Sequence, residues 1–337
     1  MTKSATRETA DIASVVGRKN RIINGNFDIW QRALSQTATG YGSDDRWLNM
    51  IVGSTQVVSR QAFTLGQTDV PNNPKYYART VVTSVAGTGN YVVKSQKIEG
   101  VETFSGTTAT LSFWAKADAN KNIAIEFAQS FGTGGTSPAP SANVLGIGVT
   151  TVALTTSWVK HTVPVALPSI SGKTLGTNGN DYLWLFLWMD AGSDWNARAN
   201  SLGQQSGTFE FSQVQIEAGS VATTFEPRSK GEELALCQRY YWQKSTFIAT
   251  VGAYRTATVL ENCQVYFPVS MRAVPTCALP SLSGNIYVNG SSTAITGGAA
   301  GGTGLNAVSI NLNSASKPVN AAAWASASSP ITANAEL

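Results

Sequence analysis

The chain has 337 residues, 42% of them hydrophobic and only 13% charged, and its 24 Lys and Arg against 20 Asp and Glu leave a net charge of +4. The charged share is about half the roughly 25% of an average soluble protein, and no dense basic run marks a nucleic-acid footprint. A single histidine, His161, excludes mechanisms that need a histidine pair, and three cysteines without close paired spacing do not form a zinc or redox motif. Residues 1–16 carry no apolar stretch of secretory length, and the longest apolar run, Leu183 to Met189, is too short to span a bilayer. These features lead us to expect a protein made in a cytoplasm, without nucleic-acid binding or membrane insertion.

In chain order, Asn24-Gly25 is the first tight-turn signal. Leu111, Phe113 and Ala115 alternate with Ser112, Trp114 and Lys116, and Ile123, Ile125 and Phe127 alternate with Ala124 and Glu126, the pattern of half-buried strands. Val159, His161, Val163 and Val165 share one strand face, which makes His161 structural, whereas Tyr182 to Met189 is apolar on both faces and belongs in the middle of a sandwich. Between Thr208 and Ile216 the apolar positions change parity, from Phe209 and Phe211 to Val214 and Ile216, which predicts a bulge near Ser212 or Gln213. Gly-rich turns at 87–90, 132–140 and 178–179 connect these strands, and nothing suggests a βαβ crossover.

The first helix signal is Ser229-Lys230-Gly231-Glu232, a capping box, and the spacing predicts a helix from about Lys230 to Gln243 with Leu234, Cys237 and Tyr241 on one face. Glu232 and Glu233 suit its positive end, and Arg239 and Lys244 its negative end. Alternation then returns in Val265, Phe267, Val269 and Met271, in Ile286 and Val288 before Asn289-Gly290, and in Val308, Ile310 and Leu312. The predicted fold is all-β in two domains joined by this helix. The second is rich in Gly, Ala and Ser, which bury little apolar area alone and invite lateral association.

Four segments carry a resemblance. Ile23-Asn24-Gly25-Asn26-Phe27-Asp28-Ile29-Trp30-Gln31-Arg32, Asp45-Arg46-Trp47, Ser112-Phe113-Trp114-Ala115-Lys116-Ala117, and Gln213 to Thr223 running into Phe225-Glu226-Pro227-Arg228 resemble, in order and spacing, bacteriophage tail-fibre and receptor-binding proteins with a carbohydrate-binding-module-like jelly roll. The helix segment Glu232 to Trp242, and Phe267-Pro268-Val269-Ser270-Met271-Arg272 with Pro275-Thr276, resemble the parts that follow in that family. The resemblance implies an N-terminal virion attachment segment at 1–20, a jelly-roll β-sandwich at 21–228, a linking helix at 229–245 and a smaller C-terminal β domain at 246–337. It also implies a short virion appendage, attached to other virion proteins through its N-terminus and binding host-surface polysaccharide or lipopolysaccharide; the single histidine leads us to expect it to be non-catalytic, and the small-residue second domain with the helix stripe leads us to expect a homotrimer. A structural head, neck or collar fibre fits the same residues.

Trp30, Trp47 and Trp114 lie beside strand signals and are expected in the core. Trp195 stands in a polar loop with Asn196 and Arg198, where an aromatic flanked by hydrogen-bonding groups suits a sugar platform, ordinary loop packing or a subunit contact. Leu234, Cys237 and Tyr241 are the expected trimer seam, and Ile12, Val15 and Val16 the apolar cluster that would dock in the virion. Asp44, Asp45, Asp181 and Asp190 show no ligand spacing, so no cofactor is expected beyond a structural calcium ion, which oxygen-rich jelly-roll loops can hold. No carboxylate pair of a glycosidase is identifiable.

Overall fold

The computed structural model describes residues 18–245, 247–279, 283–288, 291–315, 322–327 and 331–337. Ile12, Val15 and Val16 lie outside the described residues, as does the turn expected at Asn289-Gly290. The described residues divide into two compact units, one from 18 to 229 with Leu337 and one from 230 to 336.

The first unit is a jelly-roll β-sandwich. Its strands are β1 (Ser35–Gln36), β2 (Leu48–Val52), β3 (Thr55–Ala62), β4 (Tyr76–Thr83), β5 (Tyr91–Glu99), β6 (Thr108–Ala117), β7 (Lys121–Ser130), β8 (Val144–Leu154), β9 (Val159–Ala166), β10 (Tyr182–Ala191) and β11 (Gly207–Ala218). They form one sheet ordered β1-β3-β4-β11-β6-β9 and another ordered β2-β5-β10-β7-β8. The chain switches repeatedly between the sheets, which is why most strands present an apolar inner row: Leu111, Phe113 and Ala115 from β6 meet Leu183, Leu185 and Leu187 from β10 in one core. His161, half-buried on edge strand β9, borders that core, its ring 5.4 Å from Phe113 and its Nε2 buried without a hydrogen-bond partner, and burial holds its pKa below the ordinary imidazole value.

The parity break predicted in β11 is a bulge. The register with β6 slips between Ser212 and Gln215, and Gln213 adopts φ +51°. Trp47 is fully buried and Trp30 nearly so, but Trp114 is half-buried on the outer face of the six-stranded sheet, not in the core as expected.

The second unit begins with α1 (Lys230–Gln238), followed by β12 (Tyr241–Lys244), β13 (Phe247–Thr256), β14 (Val259–Tyr266), β15 (Thr276–Ala278), β16 (Gly284–Val288), β17 (Ser291–Thr303), β18 (Ala307–Ser314), β19 (Ala322–Ala327) and β20 (Ile331–Asn334). Strands β13-β14-β18-β17-β16-β19 close a barrel, and β12-β20-β15 form a small sheet. Tyr254, Leu260, Cys263, Ile286, Ile310 and Leu312 fill the core, so closure and a few large side chains supply the apolar burial that the Gly- and Ala-rich strands lack. Burial pushes the Cys263 thiol up to about 11, which keeps it protonated.

Two expectations need correction here. The helix ends at Gln238, five residues early: Tyr240 N–H already turns back to the Cys237 carbonyl at 3.0 Å, and Tyr241 pairs with Asn334 in a sheet. Tyr241 and Lys244 are therefore strand residues, and Tyr241 does not extend the Leu234–Cys237 stripe. Cys237 and Tyr241 are moreover buried within a single chain at 1% and 8% exposure, leaving only half-buried Leu234 of the expected trimer seam with open surface. The alternation Val265 to Met271 is also not one strand. β14 stops at Tyr266, before Pro268, which has no N–H for a ladder.

Candidate functional site

Along β10 the aliphatic and aromatic residues separate by parity. Leu183, Leu185, Leu187 and Met189 face the sandwich core, whereas Tyr182, Trp184, Phe186 and Trp188 line the outer face of the five-stranded sheet. Trp184 stands between Lys97 of β5 and Ala128 of β7, Phe186 between Ser95 and Glu126, and Trp188 between Val93 and Ala124. The two alanines leave room for the rings. Successive ring centroids are 5.5, 4.3 and 6.1 Å apart from Tyr182 to Trp188, a continuous aromatic row.

After β10 the chain folds back over one end of this row. Gly192 makes the return possible: its N–H donates to the Asn90 carbonyl at 2.8 Å, and a Cβ there would sit 2.3 Å from the Thr88 carbonyl oxygen. A short 3-10 turn, Ser193–Trp195, then places Trp195 with its ring 4.9 Å from Tyr91 and 5.5 Å from Trp188, and its Nε1 donates to the Gly89 carbonyl at 3.0 Å. Trp195 is thus a packed member of the aromatic group, half-buried. Asn196 is exposed on the turn.

Arg198 completes the arrangement. Its guanidinium lies 4.9 Å from the Phe186 ring centroid and 5.3 Å from that of Trp188, and its Nε donates to Glu126 Oε1 at 2.7 Å. Glu126 is fully buried and also accepts from Trp188 Nε1 at 3.0 Å and from Gly146 N–H at 2.9 Å. Its carboxylate holds Arg198 within cation–π reach of the rings. The Arg198 side chain keeps 23% exposure. Beyond it, Phe186 and Trp188 are closed over, while Trp184 and Tyr182 remain half-buried, and the Trp184 Nε1 has no hydrogen-bond partner. Lys97 stands 4.6 Å and 4.9 Å from the Tyr182 and Trp184 ring centroids.

The sequence-predicted residues therefore meet only in part. Trp195 and Arg198 converge on one aromatic floor, and Asn196 does not join them. The floor itself was missed because Tyr182 to Met189 reads as uniform core; the signal available was that every aromatic in the run has the same parity. The four aspartates are dispersed. Asp44 pairs with Lys94, Asp45 accepts from Gln31 N–H at 2.9 Å, Asp181 from Val101 N–H at 2.9 Å, and Asp190 from Ser54, Ser84 and Gln205 N–H. Among the described residues no three His, Cys, Asp or Glu side chains gather as a metal-binding group, and no helix is long and apolar enough to cross a membrane.

No protein-family model and no curated protein matches the sequence. Among solved structures, the N-terminal cellulose-binding domain of a Cellulomonas fimi β-1,4-glucanase is similar at 12% identity and TM-score 0.32, with 58% of this chain and 100% of that one covered. The carbohydrate-binding module TmCBM61, solved with β-1,4-galactotriose, is similar at 9% identity and TM-score 0.31, covering 60% of this chain and 100% of that one. The enzymatically active domain of tailspike protein 4 from bacteriophage CBA120 is similar at 12% identity and TM-score 0.32, covering 59% of this chain but 21% of that one.

Proposed function

We propose that this chain is a non-catalytic, glycan-binding bacteriophage virion protein, a tail fibre or receptor-binding appendage that attaches to host-surface polysaccharide or lipopolysaccharide. The observation that carries the glycan reading is the aromatic row on the outer face of the five-stranded sheet, open at Trp184 and bordered by Arg198, which Glu126 fixes in place. A pyranose stacks its apolar face on an indole, and a planar guanidinium supplies directed donors to ring substituents. The virion setting rests on the four motif segments, and the small-residue composition of the second unit supports a homotrimer, whose three copies would raise avidity without new contacts per site.

An array of bacterial-surface oligosaccharides tests this reading. Wild-type protein is expected to bind, and Trp184→Ala to lose about tenfold in affinity, the effect of ~1.4 kcal/mol, with its thermal midpoint little changed because the ring is half-exposed. No hydrolysis of the bound glycan is expected; turnover near one per second, within the usual enzyme range of about 1–1000 per second, would overturn the non-catalytic reading. Light scattering is expected to give three chains, and a stable monomer at micromolar concentration removes the trimer. The attachment role of residues 1 to 20 is checked by a truncation beginning at Asn20, which should no longer enter particles.

The alternative, a structural head, neck or collar fibre without a ligand, is favoured by one observation: the 192–203 loop closes over Phe186 and Trp188, which leaves them 1% and 2% exposed. Failure of the wild-type protein to bind any glycan on the array would select it.

A further inference from the structure

The outer face of the six-stranded sheet carries a second constellation of the same chemistry. Register places Arg79 of β4, Glu210 of β11 and Lys116 of β6 side by side in one row. Arg79 Nη2 lies 2.6 Å from Glu210 Oε1 and Lys116 Nζ lies 3.2 Å from Oε2, so two cations share one carboxylate. The carboxylate is sunk, with its side chain 5% exposed, while Arg79 and Lys116 keep 35% and 30%. The field this row presents to solvent is therefore positive.

Three rings surround it. Trp158, just before β9, reaches across the sheet to 5.3 Å from both Phe63 and Tyr77, which lie 4.7 Å from each other. Lys116 Nζ stands 5.4 Å from the Trp158 centroid, and Arg79 Nη2 lies 3.3 Å from the Tyr77 hydroxyl. All three residues are half-buried, so none is closed off from solvent. Burial, and then the Glu210 charge, push the Tyr77 phenol above its ordinary pKa, which keeps its proton available for donation. An aromatic group beside an Arg–carboxylate pair also occurs on the opposite sheet, where Arg198 and Glu126 lie among Phe186, Trp188 and Trp195.

We propose that Trp158, Tyr77 and Phe63, with Arg79 and Lys116, form a second saccharide site, selective for an acidic sugar whose ring stacks on the indole and whose carboxylate or phosphate meets the two exposed cations. Glu210 is a positioning residue: it holds both cations in the row and is too deeply buried to meet the ligand. Sites on both faces of one sandwich let a single chain bridge two strands of a surface polysaccharide.

The test uses the full chain with Trp184→Ala, so that it is independent of the site on the other sheet. On an array of acidic and neutral bacterial-surface oligosaccharides, this variant is expected to retain acidic glycans. Adding Trp158→Ala, or separately Lys116→Gln, is expected to reduce that retained binding at least tenfold, and raising sodium chloride from 50 to 500 mM to weaken it. Lys116→Gln removes a charge from a partly exposed side chain and keeps the test valid if Trp158→Ala unfolds. Loss of all binding in Trp184→Ala alone would overturn this second site and leave the first standing. Retained binding that neither addition changes, or that is equal for neutral glycans, would overturn it as well.

Discussion

Asp44→Ala is expected to lower the stability of the sandwich by about 3–5 kcal/mol, the cost of leaving a buried charge without its partner. Lys94 points into the sandwich from β5, and both it and Asp44 have side chains at 0% exposure. Its ammonium bonds to Asp44 Oδ2 and, at 2.7 Å, to Asn49 Oδ1, and it lies 5.8 and 5.9 Å from the Phe27 and Trp47 ring centroids. Asp44 Oδ1 accepts from Ser43 Oγ and Asn49 Nδ2, each at 2.8 Å, so the pair sits in a hydrogen-bonded polar knot beside aromatic core residues. Burial pushes the Lys94 pKa below the ordinary lysine value, and the Asp44 charge and hydrogen bond oppose that push. Without Asp44 only the depression remains, so the folded variant binds fewer protons than the unfolded chain over a wider range below the ordinary lysine pKa. Stability rises with pH wherever the unfolded state holds the extra proton. Urea titrations at pH 7 and pH 9.5 should therefore show the deficit of Asp44→Ala shrinking at the higher pH. Lys94→Met combined with Asp44→Leu should cost far less than the single change, because an apolar pair of similar volume leaves no uncompensated charge.

That knot joins residues 50 positions apart in the sequence, and no local pattern announces it. What was legible came from side-chain period. The alternation in Leu111 to Lys116 fixed which side of β6 faces the core, and the parity break before Val214 located the bulge, because each depends only on neighbours in the same strand. The apolar stripe runs past the end of the helix for the complementary reason. Tyr241 falls four residues after Cys237 and continues the stripe, but its backbone is claimed by Asn334, more than ninety residues on, and pairing at that distance overrides local periodicity. The candidate site was half legible. The composition of the turn singled out Trp195 and Arg198, whereas Glu126, which fixes Arg198, sits 72 positions away, and the outer aromatics of β10 lie in a run that is apolar at every position, so composition alone does not tell its core face from its outer face.

Gly25→Ala is expected to cost about 3 kcal/mol, at the upper end of ordinary overpacking, because the added methyl meets backbone rather than a side chain. A Cβ on Gly25 would lie 2.1 Å from the Val214 carbonyl oxygen and 3.1 Å from its carbon. No rotamer change relieves such a clash; one of two backbone segments must move. On one side, Val214 lies in the β11 bulge beside Gln213, which holds a positive φ, and the Val214 N–H donates to the Gly25 carbonyl at 2.8 Å. On the other, Asn24 ties its segment down through its side chain, with Nδ2 donating to the Ile29 and Asp45 carbonyls at 2.8 and 3.0 Å and Oδ1 accepting from Ile29 N–H at 3.0 Å. The buried Trp47 adds a bond from Nε1 to the Asn24 carbonyl at 3.1 Å. Neither side can yield without breaking several of these bonds, so Asn24-Gly25 serves as the socket into which the bulge is seated. For a unit of this size the loss corresponds to a fall of roughly 6–12 °C in thermal midpoint. Gly231→Ala is the matched control: nothing lies within 4 Å of its added Cβ and the site is helical, so a gain of up to about 1 kcal/mol is expected there. A Gly25→Ala protein that melts within 1 °C of the parent would show that the bulge and the N-terminal turn are free to part, and that the two motif segments are not structurally coupled.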